Sequence, residues 1–330
     1  MYIKKDGGSH DKELKLVIYD FPCNIEVDYI LIENDLQKRR PSKTFDTPRV
    51  EEDNYKIMCG VKNGITTGDP IEVIVYNYKV QPKNYKNIQK IFRPSHADYT
   101  WYKKYNEFIP SGGGPLSARL TVLDVIAGAF AKMLINKYSS KILFNTWVYS
   151  IGQFVQEKYV NSLSEQFVDV LNKTRKYGDS IGGKVRCVVK NNFIGLGDPY
   201  EKFDALLAYE LFSIPAVKAV EIGRGVEASK MLGSDHNDPY MLDNNTRKIV
   251  PSKNDAGGIL GGITTGEDLV VTVTFKPIPS ISKVQKTVDI DGKEVELKIA
   301  GSHDVCAAIR GTVVVEAKIA LVIAHFLLKK

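Results

Sequence analysis

The chain has 330 residues, 43% hydrophobic and 25% charged, and its 45 basic and 39 acidic side chains leave a net charge of +6. These values fit a large globular domain and exclude wholesale disorder. The surplus is mild and has no dense basic run beyond "QKRRP" at 37–41, which argues against a nucleic-acid partner and suits a phosphorylated metabolite.

The N-terminus, "MYIKKDGGSH", carries charge where a signal peptide has its apolar core. Cys23, Cys59, Cys187 and Cys306 lie far apart with no C-x-x-C pair, so neither a disulfide framework nor a zinc site is expected. A reducing cytoplasm is the expected location. In chain order, "NGITTGDPIEVIVYN" from Asn63 reads as a glycine turn and a half-buried strand. "SGGGPLSAR" (111–119) is a glycine-rich entry into an apolar helix, "ARLTVLDVIAGAFAKMLI", starting at Ala118. It suits either an anion cradle or a hinge that needs positive φ. "SEQFVDVLNKTRKYG" (164–178) predicts an amphipathic helix closed by Gly178, and "KVRCVVK" (184–190) a strand. A helix is expected from about Tyr200 to near Pro215, with a strand after it. Residues 229–256 are polar and turn-rich, a length that predicts function or disorder. "TVVVEAKIALVIAHFLLKK" is interrupted by Glu316 and Lys318 and reads as a terminal core helix, not a membrane span.

The sequence also repeats itself. "GGITTGEDLVVTVTF" from Gly261 matches the segment at Asn63, and each copy is followed by a His-Asp context (His96 and Asp98, then His303 and Asp304). Each then reaches an R-x-T-V helix, from Ala118 and from Ile309. The copies lie roughly 190 to 200 positions apart. They predict a single domain over 1–330 with related halves around 60–138 and 257–328.

Three of the five histidines, His10, His96 and His303, sit in turn-rich contexts beside charged residues and are acid–base candidates. His236 lies near Asp235 and Asp238, but their spacing fits no compact metal site, and none is expected; His325 in its apolar helix reads as structural. Arg39 and Arg40 come before Pro41, Arg49 after Pro48, Arg93 before Pro94 and Arg119 after the glycines, contexts in which a planar guanidinium can fork onto carboxylate or phosphate. No P-loop, dinucleotide fingerprint, nucleophile elbow or H-E-x-x-H occurs.

Taken in order, the motifs resemble one family, chorismate synthase. "GGSHDK" is similar to its G-E-S-H-G, "KRRP" to R-R-R-P, "FRPSHADYT" to F-R-P-G-H-A-D-Y-T and "SGGGPLSAR" to R-G-G-G-R-S-S-A-R. "GLGDP", "SIPAVKAVEIG", "AGGILGGITTGEDL", "FKPIPSI" and "GSHDVC" follow in the family's order. The resemblance implies an α+β fold, a β-α-β sandwich with internal pseudo-symmetry, assembled as a homotetramer or homodimer. It implies a lyase that removes phosphate from 5-enolpyruvylshikimate 3-phosphate by 1,4-anti elimination, with reduced FMN as cofactor. By the same resemblance His96 would protonate the departing phosphate, His10 would act near the flavin pyrimidine edge, and Asp304 would take a proton near flavin N5. Arg39, Arg49, Arg93 and Arg119 match substrate-binding arginines. Ser117, Pro215, Ala216, Gly261 and the segment Lys276, Pro277, Ile278, Pro279 and Ser280 match the FMN site, with Lys276 and Ser280 at its phosphate.

The departures fall at functional positions. Pro115 and Leu116 stand where the family has Arg-Ser, Ser302 and Phe45 where it has arginine, Val305 where it has proline, and Leu120 and Gly8 where it has glutamate. Losing two charge-assisted contacts, each worth about 1.5–3 kcal/mol, weakens binding unless Lys43 or another cation replaces them. Two readings therefore stand: a divergent active enzyme, or a homologue that binds flavin or a phosphorylated acid with weak or no turnover.

Overall fold

A computed structural model describes residues 1–41, 45, 52–78, 90–109, 111–244, 247–299 and 303–329. Alternation in "ELKLVIY" sends Leu14, Leu16 and Ile18 to one face, and that face is fully buried. The segment Glu13–Tyr19 (β2) pairs antiparallel with Tyr2–Asp6 (β1) and with Ile71–Tyr76 (β4), which in turn pairs with Tyr55–Cys59 (β3). The second sheet comprises Leu143–Ile151 (β5), Phe154–Val155 (β6), Gly183–Lys190 (β7), Val217–Ile222 (β8) and Leu269–Phe275 (β9). The first sheet has the order β1-β2-β4-β3. The second has the corresponding order β5-β7-β9-β8, with β6 added at its edge.

Among the described residues, the helices of eight residues or more are Tyr29–Arg39 (α1), Asp98–Tyr105 (α2), Thr121–Tyr138 (α3), Glu165–Lys176 (α4), Phe203–Phe212 (α5) and Ala307–Leu327 (α6). The two longest, α3 and α6, pack on each other, α3 also on β2 and α6 on β5, β7 and β9. This is the expected β-α-β sandwich. Close approach of the two helices depends on Gly128, where a Cβ would come within 2.3 Å of the Ala317 Cβ. Reciprocal ion pairs fix their register. Lys132 on α3 meets Glu316 and Asp35, and Lys318 on α6 meets Asp124 (2.9 Å) and Glu210 (2.7 Å). Burial works against the Lys132 charge, but Glu316 and Asp35 outweigh it and raise its pKa.

The two G-I-T-T-G segments form the same small hairpin, Val61–Lys62 on Ile65–Thr66 and Ile259–Leu260 on Ile263–Thr264. Gly60, Gly64 and Gly68 adopt positive φ, as do Gly258, Gly262 and Gly266, which is why glycine recurs there. In each copy the first threonine plays the same part. Thr66 Oγ1 donates to Pro22 O (2.7 Å) and accepts from Ile25 N (3.0 Å). Thr264 Oγ1 donates to Phe193 O (2.6 Å) and accepts from Leu196 N (2.9 Å).

Several boundaries differ from the sequence reading. α3 begins at Thr121, not Ala118, because the residues before it form short 3₁₀ turns over Ser111–Leu116 and Ala118–Leu120. α5 spans only Phe203–Phe212; the Asp198 carboxylate accepts from Tyr200 N and Glu201 N and holds the preceding residues in a turn. Within 229–256 the described residues form a helical turn and the ribbon Tyr240–Leu242 on Ile249–Pro251, tied down where Asp238 accepts from Asp255 N and Ala256 N. His325 is structural, bridging Met1 O (3.1 Å) and Glu201 (3.0 Å). No helix among the described residues is long and apolar enough to cross a membrane, and none of their acidic, histidine or cysteine side chains cluster as metal ligands.

Candidate active site

Helix ends bring the charged residues together. α1 stops at Arg39, and Arg119 sits in the 3₁₀ turn before α3. Asp304 and Arg310 flank the start of α6. All four line one cavity of about 930 Å³, as do Thr121 and Ala307, the first residues of α3 and α6. Two helix N-termini thus present their positive ends to a common space, a setting that favours anions.

The arginines are fixed by a residue the sequence reading did not single out. Asp53 (2% exposed) accepts from Arg39 Nη1 at 3.2 Å through one oxygen and from Arg119 Nη1 through the other. Arg39 also donates to Thr121 Oγ1 and to the carbonyls of Ala118 and Arg119, so each of its three guanidinium nitrogens is engaged. Burial lowers its pKa, and Asp53 offsets part of that effect. Arg119 donates through Nε to Asn77 Oδ1 (2.9 Å), while its Nη2 is buried without a hydrogen-bond partner among the described residues. An unpaired guanidinium N–H in a cavity wall needs an acceptor, and a ligand carboxylate or phosphate can supply one. Arg93 forks onto Asp98 (2.6 and 2.7 Å). Arg310 donates to Asp304 Oδ2 (2.9 Å) and through Nε to Arg39 O (2.8 Å), linking α6 to the end of α1.

His96 lies between two segments. Its Nδ1 is 3.1 Å from Pro94 O, which assigns the proton to Nδ1, and its Nε2 accepts from Ser280 Oγ at 2.9 Å. Burial, then the Arg93 cation, lowers its pKa to about 4, so the ring is neutral at pH 7. Lys276 Nζ donates to Ser95 O (2.8 Å), a second tie between the 93–96 turn and the 276–280 segment.

Of the residues singled out in the sequence, Arg39, Arg93, His96, Ser117, Arg119, Pro215, Ala216, Lys276, Ile278, Pro279, Ser280, His303 and Asp304 line the cavity. His10 does not; it follows the Gly7 wall, where Ser9 N donates to Gly114 O (3.2 Å). Gly261 is exposed on its hairpin and Pro277 is exposed in its turn, and neither lines the cavity. Arg49, Lys43 and Ser302 fall outside the described residues. The described residues of 229–256 contribute nothing to the lining. Pro115 and Leu116 form part of the wall, while Phe45 and Val305 are buried and joined by Val305 N donating to Phe45 O. Sequence reasoning missed Asp53, Asn77 and Arg310. Only Arg310 carried a signal, since it is the arginine of the second R-x-T-V copy.

The comparisons with known proteins agree on one family. The family model for chorismate synthase matches residues 1–328. Proteins named chorismate synthase from Prochlorococcus marinus (strain MIT 9301) and Archaeoglobus fulgidus are 38% and 40% identical to this chain. The alignments cover 98% of the chain in both cases, and 93% and 94% of those proteins. A crystal structure of chorismate synthase superposes with a TM-score of 0.76 at 26% identity, over 99% of this chain and 91% of that one. The chain belongs to the chorismate synthase family and is a lyase of that type.

Proposed function

We propose that the cavity carries out the family's elimination, releasing phosphate and a ring hydrogen from 5-enolpyruvylshikimate 3-phosphate to give chorismate, beside reduced FMN. The observation that carries this reading is the buried, unpartnered Arg119 Nη2 in a wall shared with neutral His96 and with Asp304. Arg119, held rigid by Asp53 and Asn77, binds an anionic group of the substrate through that Nη2. Arg39 aligns this wall, and Arg93, oriented by Asp98, lies beside the phosphate. A phosphate dianion at His96 raises the histidine's pKa, so that the ring takes up a proton and can deliver it to the leaving group from Nε2. Asp304, oriented by Arg310, accepts the proton lost from the ring.

The residues present also fit the cofactor. A volume of about 930 Å³ is at the upper end for a single ligand and leaves room for two. Ala216, at a φ of 71°, is strained for a non-glycine residue where it meets the cavity beside Pro215 and Ser117. Lys276 offers donors for a phosphate, and Ser280 offers its hydroxyl hydrogen once protonation of His96 Nε2 releases it. Reduced FMN, when bound, supplies electron density that eases C–O cleavage. His10 and Arg49 are assigned to the site through the resemblance alone.

The second reading, a binding protein without turnover, is disfavoured by 38–40% identity to enzymes over nearly the whole chain and by the retained His96, Arg119 and Asp304. We read the chain as one domain of two related halves, supported by the matching hairpins and sheet orders. A homotetramer or homodimer is supported by the exposed apolar ribbon of Tyr240, Met241, Leu242 and Ile249. A cytoplasmic location is supported by four free cysteines. An anaerobic assay with reduced FMN tests the reaction: the wild-type protein forms chorismate, and a yield no higher than that of His96→Ala refutes it.

A further inference from the structure

β8 does not run evenly along β9. Val217 faces Phe275 and Ala219 faces Thr274, so Lys218 is an extra residue between the two pairs, a β-bulge. Bulges re-aim a side chain and gather beside functional sites. The residue before the strand, Ala216, is in the left-handed conformation, and its carbonyl accepts from Lys276 N at 2.9 Å. Two irregularities in succession therefore pin the start of the 276–280 segment and turn Lys218 to the rim of the cavity, where it and Lys276 both contribute to the lining.

The two ammonium groups are close enough to act on each other. The Lys276 pKa is lowered, by burial first and then by the Lys218 charge. Among the described residues neither lysine has an ion-pair partner, although Arg39, Arg93, Arg119 and Arg310 in the same cavity are each paired with an aspartate. Lys276 uses one N–H on Ser95 O and keeps two. Two neighbouring cations without a counter-ion repel each other until a dianion settles between them.

We propose that Lys218 is a phosphate-binding residue that completes, with Lys276, a subsite for a phosphomonoester dianion. This rests on the reading that the cavity takes a phosphorylated cofactor and a phosphorylated substrate, both of which present that chemistry. Lys276 alone is a single charge on a flexible stem; the bulged Lys218 supplies the second charge on a strand.

Binding measurements on the full chain test it without turnover. Dissociation constants for oxidised FMN and for riboflavin are read from flavin fluorescence, and for 5-enolpyruvylshikimate 3-phosphate by calorimetry, in the wild type, Lys218→Met and Lys218→Arg. Loss of one charge-assisted contact weakens the phosphate-bearing ligand by about 10-fold or more in Lys218→Met. Lys218→Arg recovers most of that loss, and riboflavin binding stays unchanged. If FMN weakens, the subsite holds the cofactor's phosphate; if only the substrate weakens, it holds the substrate's. If Lys218→Met binds both within about twofold of the wild type, the proposal is overturned. A wild-type protein that binds neither overturns the reading of the cavity, and this subsite with it.

Discussion

Replacing Asp53 with alanine removes the one carboxylate that both Arg39 and Arg119 grip. Its side chain is 1% exposed and the two guanidinium side chains are 5% and 7% exposed, so water cannot take its place without opening the wall. Breaking a buried ion pair from one side leaves its partner's charge uncompensated, at about 3–5 kcal/mol. Here two cations are stranded, although Arg39 keeps Thr121 and two carbonyls and Arg119 keeps Asn77, which holds the loss within that range. Against a typical stability of about 5–15 kcal/mol this is a large fraction. Urea unfolding at fixed protein concentration measures it. Asp53→Asn, which keeps one acceptor oxygen, should lose less than Asp53→Ala. Added phosphate should restore part of the Asp53→Ala loss by binding between the arginines, and should leave the wild type less affected. A loss below about 1 kcal/mol, with no phosphate rescue, would show that Asp53 does not organise the two arginines.

Further outcomes follow from the same geometry. The free His96 value of about 4 lies below the value expected with a phosphate dianion bound, so the complex holds more protons than its parts. Ligand binding at pH 7 should take up a proton, and affinity should fall as pH rises between those two values; calorimetry in buffers of different ionisation heat reads this, and His96→Ala should abolish it. Gly128→Ala forces a Cβ to 2.3 Å from Ala317 and should cost about 1–3 kcal/mol in urea unfolding by prying α3 from α6. Lys132→Met strands Glu316 and should cost about 3 kcal/mol. Because the Lys132 pKa is raised, that pair's contribution is complete below the ordinary lysine value near 10.4 and is lost only as pH climbs through the raised one, so the Lys132→Met deficit should be constant from pH 6 to 9. Arg310→Ala releases Asp304 and should lower kcat by up to about 100-fold with a shifted pH profile, while a variant with unchanged kcat would remove Arg310 from the positioning of Asp304.

What could be read in the sequence divides by distance along the chain. The hairpins at Gly64 and Gly262 were legible because a positive φ is a local demand and glycine answers it locally. The α3 and α6 helices were legible because burial on nearly every side leaves a long, mostly apolar run with few charges. Even the exceptions seen in α6, Glu316 and Lys318, could be read as breaks but not as halves of cross-helix bonds, since their partners Lys132 and Asp124 come from another element. Asp53 had no signal at all. Its neighbours "EEDNYK" look like a solvated charge run, and only the fold carries Arg39 and Arg119 onto opposite oxygens of one acid. The resemblance supplied Gly261 and Pro277 as contacts, yet both lie outside the lining of this chain's cavity, because a motif preserves a residue's place in the order and not its distance from a ligand. The same limit applies in reverse to Lys218. It stood inside a recognised stretch, "SIPAVKAVEIG", with nothing local to set it apart, and it acquires a role only where β9 runs one residue short against it. The charges that do the work in this cavity were therefore visible as residues throughout, while their pairing, which decides which cations are left for a ligand, is a property of the tertiary structure.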